Sequence, residues 1–161
     1  MNLRFAILTV SDRSSRGERP DASGPALAKL VQSEGWHVVK QEILPDEISA
    51  IQEMLQTWAD AGEADVILTT GGTGFAPRDI TPEATRAVVE RLTPGLDEAM
   101  RAASLKATPH AMLSRAISGI RNRTLIINLP GSPKGATENL QAVLLTLEHA
   151  AKLLREENAG H

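Results

Sequence analysis

The sequence predicts an α/β protein, folded as a three-layer α/β/α sandwich with a mostly parallel sheet. Short, continuously apolar runs at residues 5–10, 66–68 and 124–129 are typical of strands that are buried on both faces. Each run leads into a loop rich in polar residues, glycine or proline, and a stretch with helical apolar spacing follows. Strands that alternate with helices in this way favour a parallel sheet covered by helices on both faces.

Length and composition indicate a single globular domain. The chain has 161 residues, of which 42% are hydrophobic and 23% are charged, and we assign the domain to residues 1–161. The formal net charge of −3 argues against a nucleic-acid partner. The absence of cysteine excludes disulfides, thiolate catalysis and cysteine-ligated zinc. The N-terminal run does not resemble a signal peptide, and no apolar stretch reaches membrane-spanning length, so we expect a cytoplasmic protein without membrane contact.

The beginning of the chain is predicted to contain a strand, a helix and a second strand. After the strand at residues 5–10 we expect a polar loop at residues 11–24. A helix follows, which Pro25 opens and Gly35 closes. The second strand is predicted at residues 36–44.

A second helix is predicted to start at Pro45 and Asp46 and to end at Gly62. Its apolar residues have the spacing of an amphipathic helix. They are Ile48, Ile51, Leu55 and Trp58.

The second half of the chain is predicted to be mainly helical. Thr81 is expected to cap a third helix, Pro82 suits its first turn, and Glu83 favours the positive end of its dipole. This helix is expected to carry Ala84, Val88 and Leu92, and the next helix to carry Leu96, Ala99, Met100 and Ala103. Residues 106–119 show no clear pattern. A long final helix is expected to carry Leu140, Val143, Leu144, Leu147, Ala151 and Leu154, with a tail that frays after about residue 155.

A glycine-rich loop, Gly71-Gly72-Thr73-Gly74, lies between the strand at residues 66–68 and a helix start. The pattern is neither the dinucleotide fingerprint nor the P-loop, because no Gly-Lys-Ser/Thr follows. A plain tight turn is one interpretation. Three glycines beside two threonines favour another, in which backbone N–H groups and hydroxyls hold a phosphate or carboxylate.

Asp46 and Asp79 are the acidic candidates. Each follows a predicted strand, so both are expected at the carboxyl edge of the sheet, where ligands bind in such folds. Each also precedes a predicted helix and could be its N-cap. Two carboxylates near an anion loop equally suit Mg²⁺, which takes one or two carboxylates together with phosphate oxygens. A role as helix caps and a role in a magnesium site would both account for these two aspartates, and both interpretations stay open at this point.

The remaining polar candidates lie in the second half of the chain. Ser114 and Arg115 offer a hydroxyl and a guanidinium for phosphate, although both residue types are most often simply exposed. Ser104 falls on a predicted helix, which favours a structural role. Asn128, at the end of a buried strand, either ties a turn or contacts a ligand. Lys134 could reach a phosphate as a point charge. The histidines lack ligand-like spacing and are interpreted as ordinary: His37, His110, His149 and His161.

Taken together, these residues resemble the MogA-type molybdopterin adenylyltransferases, which include bacterial MogA and the G domains of gephyrin and of the plant molybdenum-cofactor insertion protein. The most specific match is the run Pro-Arg-Asp-x-Thr-Pro-Glu-Ala at residues 77–84, directly after Gly-Gly-Thr-Gly. The matching segments span nearly the whole chain, in order. They are residues 8–12, 23–25, 45–47, 70–74, 77–84, 93–95, 112–115 and 128–131.

The resemblance implies a MogA/MoaB-like fold and a reaction in which the terminal phosphate of molybdopterin attacks the α-phosphorus of ATP. By the same resemblance, Asp46 and Asp79 organise Mg²⁺ and the nucleotide phosphates, and they carry the catalysis together with Ser114. The remaining carried-over positions are expected to bind ATP and molybdopterin: Gly71, Gly72, Thr73, Gly74, Glu83, Ser104, Asn128, Pro130, Gly131 and Ser132.

The resemblance also implies a homotrimer and a transient contact with the metal-insertion protein. An alternative within the same fold is a MoaB-like molybdopterin-binding or scaffold protein with little or no transferase activity.

Overall fold

The computed structural model describes residues 1–156 of the chain, so the fraying predicted for the tail lies outside the described residues. The strands are β1 Arg4–Val10, β2 His37–Leu44, β3 Val66–Thr70, β4 Arg91–Leu92, β5 Ser118–Arg121 and β6 Thr124–Leu129. The helices are α1 Asp12–Ser15, α2 Ser23–Ser33, α3 Ile48–Ala61, α4 Thr81–Val88, α5 Pro94–Leu105, α6 Pro133–Val143 and α7 Leu147–Leu154, with 3₁₀ turns at Pro109–Leu113 and Leu144–Thr146.

The strands form one sheet in the order β2-β1-β3-β6-β5-β4. The first four of these are mutually parallel, whereas β5 and β4 join antiparallel at one edge. Strand β3, with every residue buried, lies in the middle of the parallel part. The predicted mostly parallel sheet is therefore confirmed.

Two separate hydrophobic cores cover the two faces of the sheet. Side chains alternate across a strand, so Phe5 and Ile7 of β1 pack on one face, and Ala6 and Leu8 pack on the other. Helices α2, α5, α6 and α7 contribute to the first core, and α3 and α4 to the second. This arrangement confirms the predicted three-layer α/β/α sandwich.

The antiparallel edge is the main feature that the sequence did not predict. Leu92 was expected on a helix, but it lies on the two-residue strand β4 and is 43% exposed. A spacing of four residues from Val88 fits a helix, yet here the chain leaves the helix at Val89 in an extended conformation. Gly119 on β5 allows β4 to approach β5 closely, because a Cβ at this position would lie only 2.8 Å from the carbonyl oxygen of Arg91.

Some helix boundaries also differ from those predicted. The predicted loop at residues 11–24 contains the short helix α1, and α2 already begins at Ser23 rather than at Pro25. The long final helix is interrupted by the 3₁₀ turn at Leu144–Thr146, which separates α6 from α7. Its apolar residues still face one core, because Leu140, Val143, Leu147 and Ala151 all belong to the same cluster.

Asp97 fastens α5 to β5 from a buried position. Its side chain is 6% exposed, and its carboxylate accepts hydrogen bonds from the backbone N–H of Ser118 at 3.2 Å and from the Ser118 hydroxyl at 2.8 Å. Burial raises the pKa of Asp97 from its ordinary 3.8 to about 6. The folded protein therefore binds this proton more tightly than the unfolded chain does.

We expect Asp97→Asn to remove a pH dependence of stability. Because the folded pKa is the higher one, the stabilisation from the Asp97 proton is complete below pH 3.8 and is lost as pH rises towards 6. At 1.36 kcal/mol per pKa unit, the variant should gain up to roughly 3 kcal/mol relative to wild type across this window. Urea unfolding at several pH values measures this difference in the free energy of unfolding. Parallel pH profiles for the two proteins would contradict the prediction. Asp60→Asn is the control, because Arg121 lowers the pKa of Asp60 and the effect should have the opposite sign.

Candidate functional site

Two cavities open where the parallel strands end, one on each side of the glycine loop at residues 71–74. The first cavity has a volume of about 230 Å³ and includes Gly71 and Gly72 in its lining. The second has a volume of about 280 Å³ and includes Thr73 and Gly74. The loop is therefore a shared wall, and a group bound in one cavity lies next to a group bound in the other.

The backbone of the glycine loop excludes other residues. Gly71 and Gly72 have φ angles of +105° and +69°, in the left-handed region that favours glycine. A Cβ on Gly71 would overlap the carbonyl oxygen of Val10, and one on Gly72 would overlap the Thr81 hydroxyl and lie 3.1 Å from Asp46 Oδ1. The loop thus needs glycine both for its turn and for its close approach to the neighbouring groups.

Neither Asp46 nor Asp79 caps the helix that follows it, which rejects the cap interpretation. Helix α3 begins at Ile48, later than the predicted Pro45-Asp46, and α4 begins at Thr81, which is therefore a helical residue and not the predicted cap. Asp46 Oδ2 accepts the backbone N–H of Asp12 at 2.9 Å. Asp79 Oδ2 accepts the backbone N–H of Ala76 at 3.0 Å.

Each of these two carboxylates keeps one oxygen without a protein partner. Both residues line the first cavity, and within residues 1–156 the Oδ1 atoms of Asp46 and Asp79 accept no hydrogen bond. The pKa of Asp46 is raised, first by burial and then by the like charges of Asp12 and Asp79. The first cavity therefore favours a cation at this point.

Asp12 and Arg78 hold Asp46 in place, and sequence reasoning did not single them out. Arg78 donates to the Asp12 carboxylate at 2.6 and 3.0 Å and to the backbone oxygen of Asp46 at 2.9 Å. This hydrogen bonding lowers the pKa of Asp12 to about 2. Asp12 lies two residues beyond the end of β1, so its position at the carboxyl edge of the sheet was a signal that could have identified it.

Arg115 holds the glycine loop and is not available to bind a phosphate. Its Nε donates to the Gly74 oxygen at 2.8 Å, and Nη2 donates to the backbone oxygen of Asp79 at 2.6 Å. Nη1 is paired with the Glu83 carboxylate at 2.7 Å, which lowers the pKa of Glu83. Glu83, a predicted ligand contact, lies outside the linings of both cavities as residues 1–156 form them, and it acts here as the partner of Arg115.

Three of the predicted serines line the second cavity together. Ser104 Oγ accepts from the Asn139 amide at 2.6 Å, Ser114 Oγ accepts from the backbone N–H of Ala116 at 3.3 Å, and Ser132 Oγ accepts from that of Gly135 at 3.0 Å. A hydroxyl that accepts from the protein still has its own hydrogen to donate. These three serines therefore present hydroxyl donors to the second cavity.

Asn128 ties β6 to β3 and α4, and within the described residues it lines neither of the two cavities. It is fully buried, and its amide donates to the hydroxyls of Thr69 and Thr85 at 2.9 Å each, while its oxygen accepts from the backbone N–H of Ile117. Of the two interpretations left open for Asn128, the structure supports the structural tie.

The loop between β6 and α6, residues 130–132, reaches both cavities. Pro130 lines the second cavity, and its carbonyl accepts from the Thr70 hydroxyl at 2.7 Å. Gly131 lines the first, where a Cβ would lie 3.3 Å from the Cα of Gly71. Lys134 lies outside both linings within the described part of the chain, 3.9 Å from Glu138.

Arg101 and His110 are among the residues of the second cavity that the sequence reasoning missed. Arg101 lines it, and its Nη1 donates to the backbone oxygens of Ser114 and Ala116 at 3.1 and 3.2 Å. His110, interpreted as ordinary, also lines this cavity. Nothing local in the sequence distinguishes either residue from an exposed one on the same element.

The chain is similar to several known proteins. The family described as "Probable molybdopterin binding domain" matches residues 6–149. Gephyrin of Dictyostelium discoideum is 44% identical over 94% of this chain, which spans only 22% of gephyrin's length. The molybdopterin adenylyltransferase of Helicobacter pylori strain J99 is 42% identical, over 94% of this chain and 88% of that protein.

Among solved structures, one described as the molybdopterin biosynthesis enzyme MoaB from Thermus thermophilus superposes with a TM-score of 0.90. It is 51% identical to this chain and covers 96% of it, and 98% of that structure is matched. The predicted MogA/MoaB-like fold is confirmed.

Proposed function

The chain belongs to the family of probable molybdopterin binding domains, and we propose that it is a molybdopterin adenylyltransferase of molybdenum cofactor biosynthesis. It transfers AMP from ATP to the terminal phosphate of molybdopterin and releases pyrophosphate. The relative of similar length from Helicobacter pylori carries the name of this activity and supports the proposal.

The observation that carries the proposal is the pair of cavities on either side of one glycine loop, with Asp46 and Asp79 in the first. Two anionic substrates must meet in line, so the enzyme needs two adjoining sites and neutralisation of charge more than a protein nucleophile. We assign the ATP phosphates to the first cavity. We assign molybdopterin to the second, where Ser104, Ser114 and Ser132 donate hydroxyls to it.

In this arrangement an oxygen of the molybdopterin phosphate forms a bond to the α-phosphorus of ATP. The bond from that phosphorus to the bridging oxygen breaks, and the oxygen leaves with its electron pair as part of pyrophosphate. The backbone N–H groups of residues 72–74 and the Thr73 hydroxyl hold the adenylate phosphate beside the second cavity, because the Thr70 hydroxyl and the Gly71 N–H already donate to backbone oxygens. Arg115 keeps that loop in place through Gly74 and the backbone of Asp79.

The donor set of the first cavity fits Mg²⁺. Residues 1–156 contain no group of three or more histidine, cysteine or acidic residues that could hold a metal by themselves. They do offer Oδ1 of Asp46 and Oδ1 of Asp79, and Mg²⁺ is usually held by one or two carboxylates with substrate phosphates and water. Mg²⁺ bound there would offset the repulsion between two anionic substrates.

The direct test is to incubate the protein with molybdopterin, ATP and Mg²⁺ and to measure adenylylated molybdopterin and pyrophosphate. We expect both products in equal amounts, and neither when Mg²⁺ is removed by a chelator. The second candidate within the same fold is a MoaB-like molybdopterin-binding or scaffold protein with little or no transferase activity. Tight molybdopterin binding without pyrophosphate release would select that candidate.

We also propose that the protein is a cytoplasmic homotrimer that contacts the metal-insertion protein transiently. No helix within residues 1–156 is long and apolar enough to cross a membrane. An apolar groove lined by Leu96, Ile120, Leu153 and Leu154 lies away from the two cavities and supports self-association. Equilibrium sedimentation tests the assembly, and a monomer at all concentrations would contradict it.

A further inference from the structure

Arg19 is the one cation among the described residues that line the first cavity. The same lining includes the carboxylates of Asp21, Asp46 and Asp79. Asp21 is occupied, since it accepts from the Thr9 hydroxyl at 2.8 Å and from the backbone N–H of Gly24 at 3.1 Å. The described lining of the first cavity thus combines three carboxylates with a single arginine.

The side chain of Arg19 is exposed and makes no hydrogen bond or salt bridge within residues 1–156. Its neighbours differ in this respect. Arg16 is paired with Glu18 at 2.9 and 3.0 Å, and Arg78 is paired with Asp12, and neither lines the cavity. Arg19 is therefore the guanidinium that is free to bind an anion in the first cavity.

The backbone on both sides of Arg19 is held, although its side chain is free. Asp21 is anchored to Thr9 and Gly24, and the backbone N–H of Glu18 donates to the Arg13 oxygen at 2.9 Å. Pro20 restricts the chain between these points. The free side chain consequently starts from a fixed position beside the cavity.

The position of Arg19 relative to the two cavities indicates which part of ATP it would meet. Attack and departure at the α-phosphorus are in line, so the leaving pyrophosphate points away from the attacking phosphate. The attacking phosphate arrives from the second cavity, across the glycine loop. Of the two cavities, Arg19 lines only the first, which is the one that receives the departing pyrophosphate.

We propose that Arg19 is a phosphate-binding residue that contacts the β- and γ-phosphates of ATP and neutralises the charge that develops on the departing pyrophosphate. This inference rests on the proposed adenylyl transfer. Arg19 donates hydrogen bonds and transfers no proton. An arginine suits this role because its planar guanidinium offers several donors to phosphate oxygens. AMP lacks these two phosphates, so Arg19 should distinguish ATP from AMP.

The test is calorimetric titration of ATP and of AMP, each with Mg²⁺, into wild type, Arg19→Gln and Arg16→Gln. We expect Arg19→Gln to raise the Kd for ATP by about tenfold, the effect of one charge-assisted contact, and to leave the Kd for AMP within about twofold. Arg16→Gln, the matched control, should change neither constant. Because Arg19 has no protein partner within the described residues, thermal unfolding should be unchanged.

Equal Kd values for ATP in wild type and Arg19→Gln would overturn the inference. So would an equal loss of affinity for ATP and AMP, since that shows a general effect on the cavity. A wild-type protein that binds neither nucleotide would overturn the proposed transferase function itself, and the inference with it. Titration of pyrophosphate is a further test. We expect Arg19→Gln to bind pyrophosphate about tenfold more weakly than wild type, because the same charge-assisted contact is lost.

Discussion

Asp79→Asn is expected to lower the rate of adenylylated molybdopterin formation by about 10²- to 10³-fold, the range seen when one preorganised charge-stabilising group is removed. The substitution keeps an oxygen that can accept the Ala76 N–H, at present a 3.0 Å hydrogen bond to Oδ2. It removes the negative charge next to Oδ1, the atom that has no partner within residues 1–156. Single-turnover assays with saturating molybdopterin, ATP and Mg²⁺ measure the chemical step directly.

The matched control for Asp79→Asn is Glu83→Gln, which also neutralises one carboxylate of the same segment. Glu83 pairs with Arg115 at the surface and lines neither cavity within the described residues, so we expect activity within a few-fold of wild type. Both variants should unfold at nearly the same temperature as wild type. Wild-type turnover by Asp79→Asn would refute its role in holding charge at the site, and a larger loss for Glu83→Gln would point to loop positioning as the dominant effect.

The parallel part of the sheet and one edge of the site were predictable because local signals determine them. Continuous apolar runs such as residues 66–68 are too short for a helix and too apolar for an edge strand. Once these strands are parallel, the residues that follow them meet at one edge of the sheet. This reasoning placed Asp46, Asp79 and the glycine loop together, and the structure has both carboxylates in the lining of the first cavity with the first two glycines of the loop.

Pairings between distant segments could not be predicted in the same way. Arg115 and Glu83 are 32 residues apart, and Arg78 and Asp12 are 66 apart, so no local pattern links them. When the pairing is not known, Glu83 is readily interpreted as a ligand contact and Arg115 as a hydrogen-bond donor to phosphate. The antiparallel edge could not be predicted for the same reason. The two residues of β4 form a strand only through their pairing with β5.

Gly71→Ala is expected to cause a loss of stability of about 2–5 kcal/mol. A left-handed conformation costs a residue with a Cβ roughly 1–2 kcal/mol. The added methyl would also overlap the carbonyl oxygen of Val10. That oxygen belongs to the end of β1, which is paired with β3 through Thr9 and Thr70, so neither strand can move away without breaking the pairing. Forced overpacking of this kind adds about 1–3 kcal/mol, and urea unfolding measures the total.

Gly62→Ala separates the two contributions to the Gly71→Ala effect. Gly62 ends α3 with a φ of +68°, and a Cβ there would meet nothing within 4 Å. Its substitution should therefore cost only the backbone term, about 1 kcal/mol, with catalysis unchanged. Equal losses for the two variants would mean that the loop yields to the methyl group, and Gly71 would then be required only for its backbone angle. A loss at Gly71 that exceeds the one at Gly62, together with lost turnover, would instead tie the approach of the loop to Val10 to the shape of the first cavity.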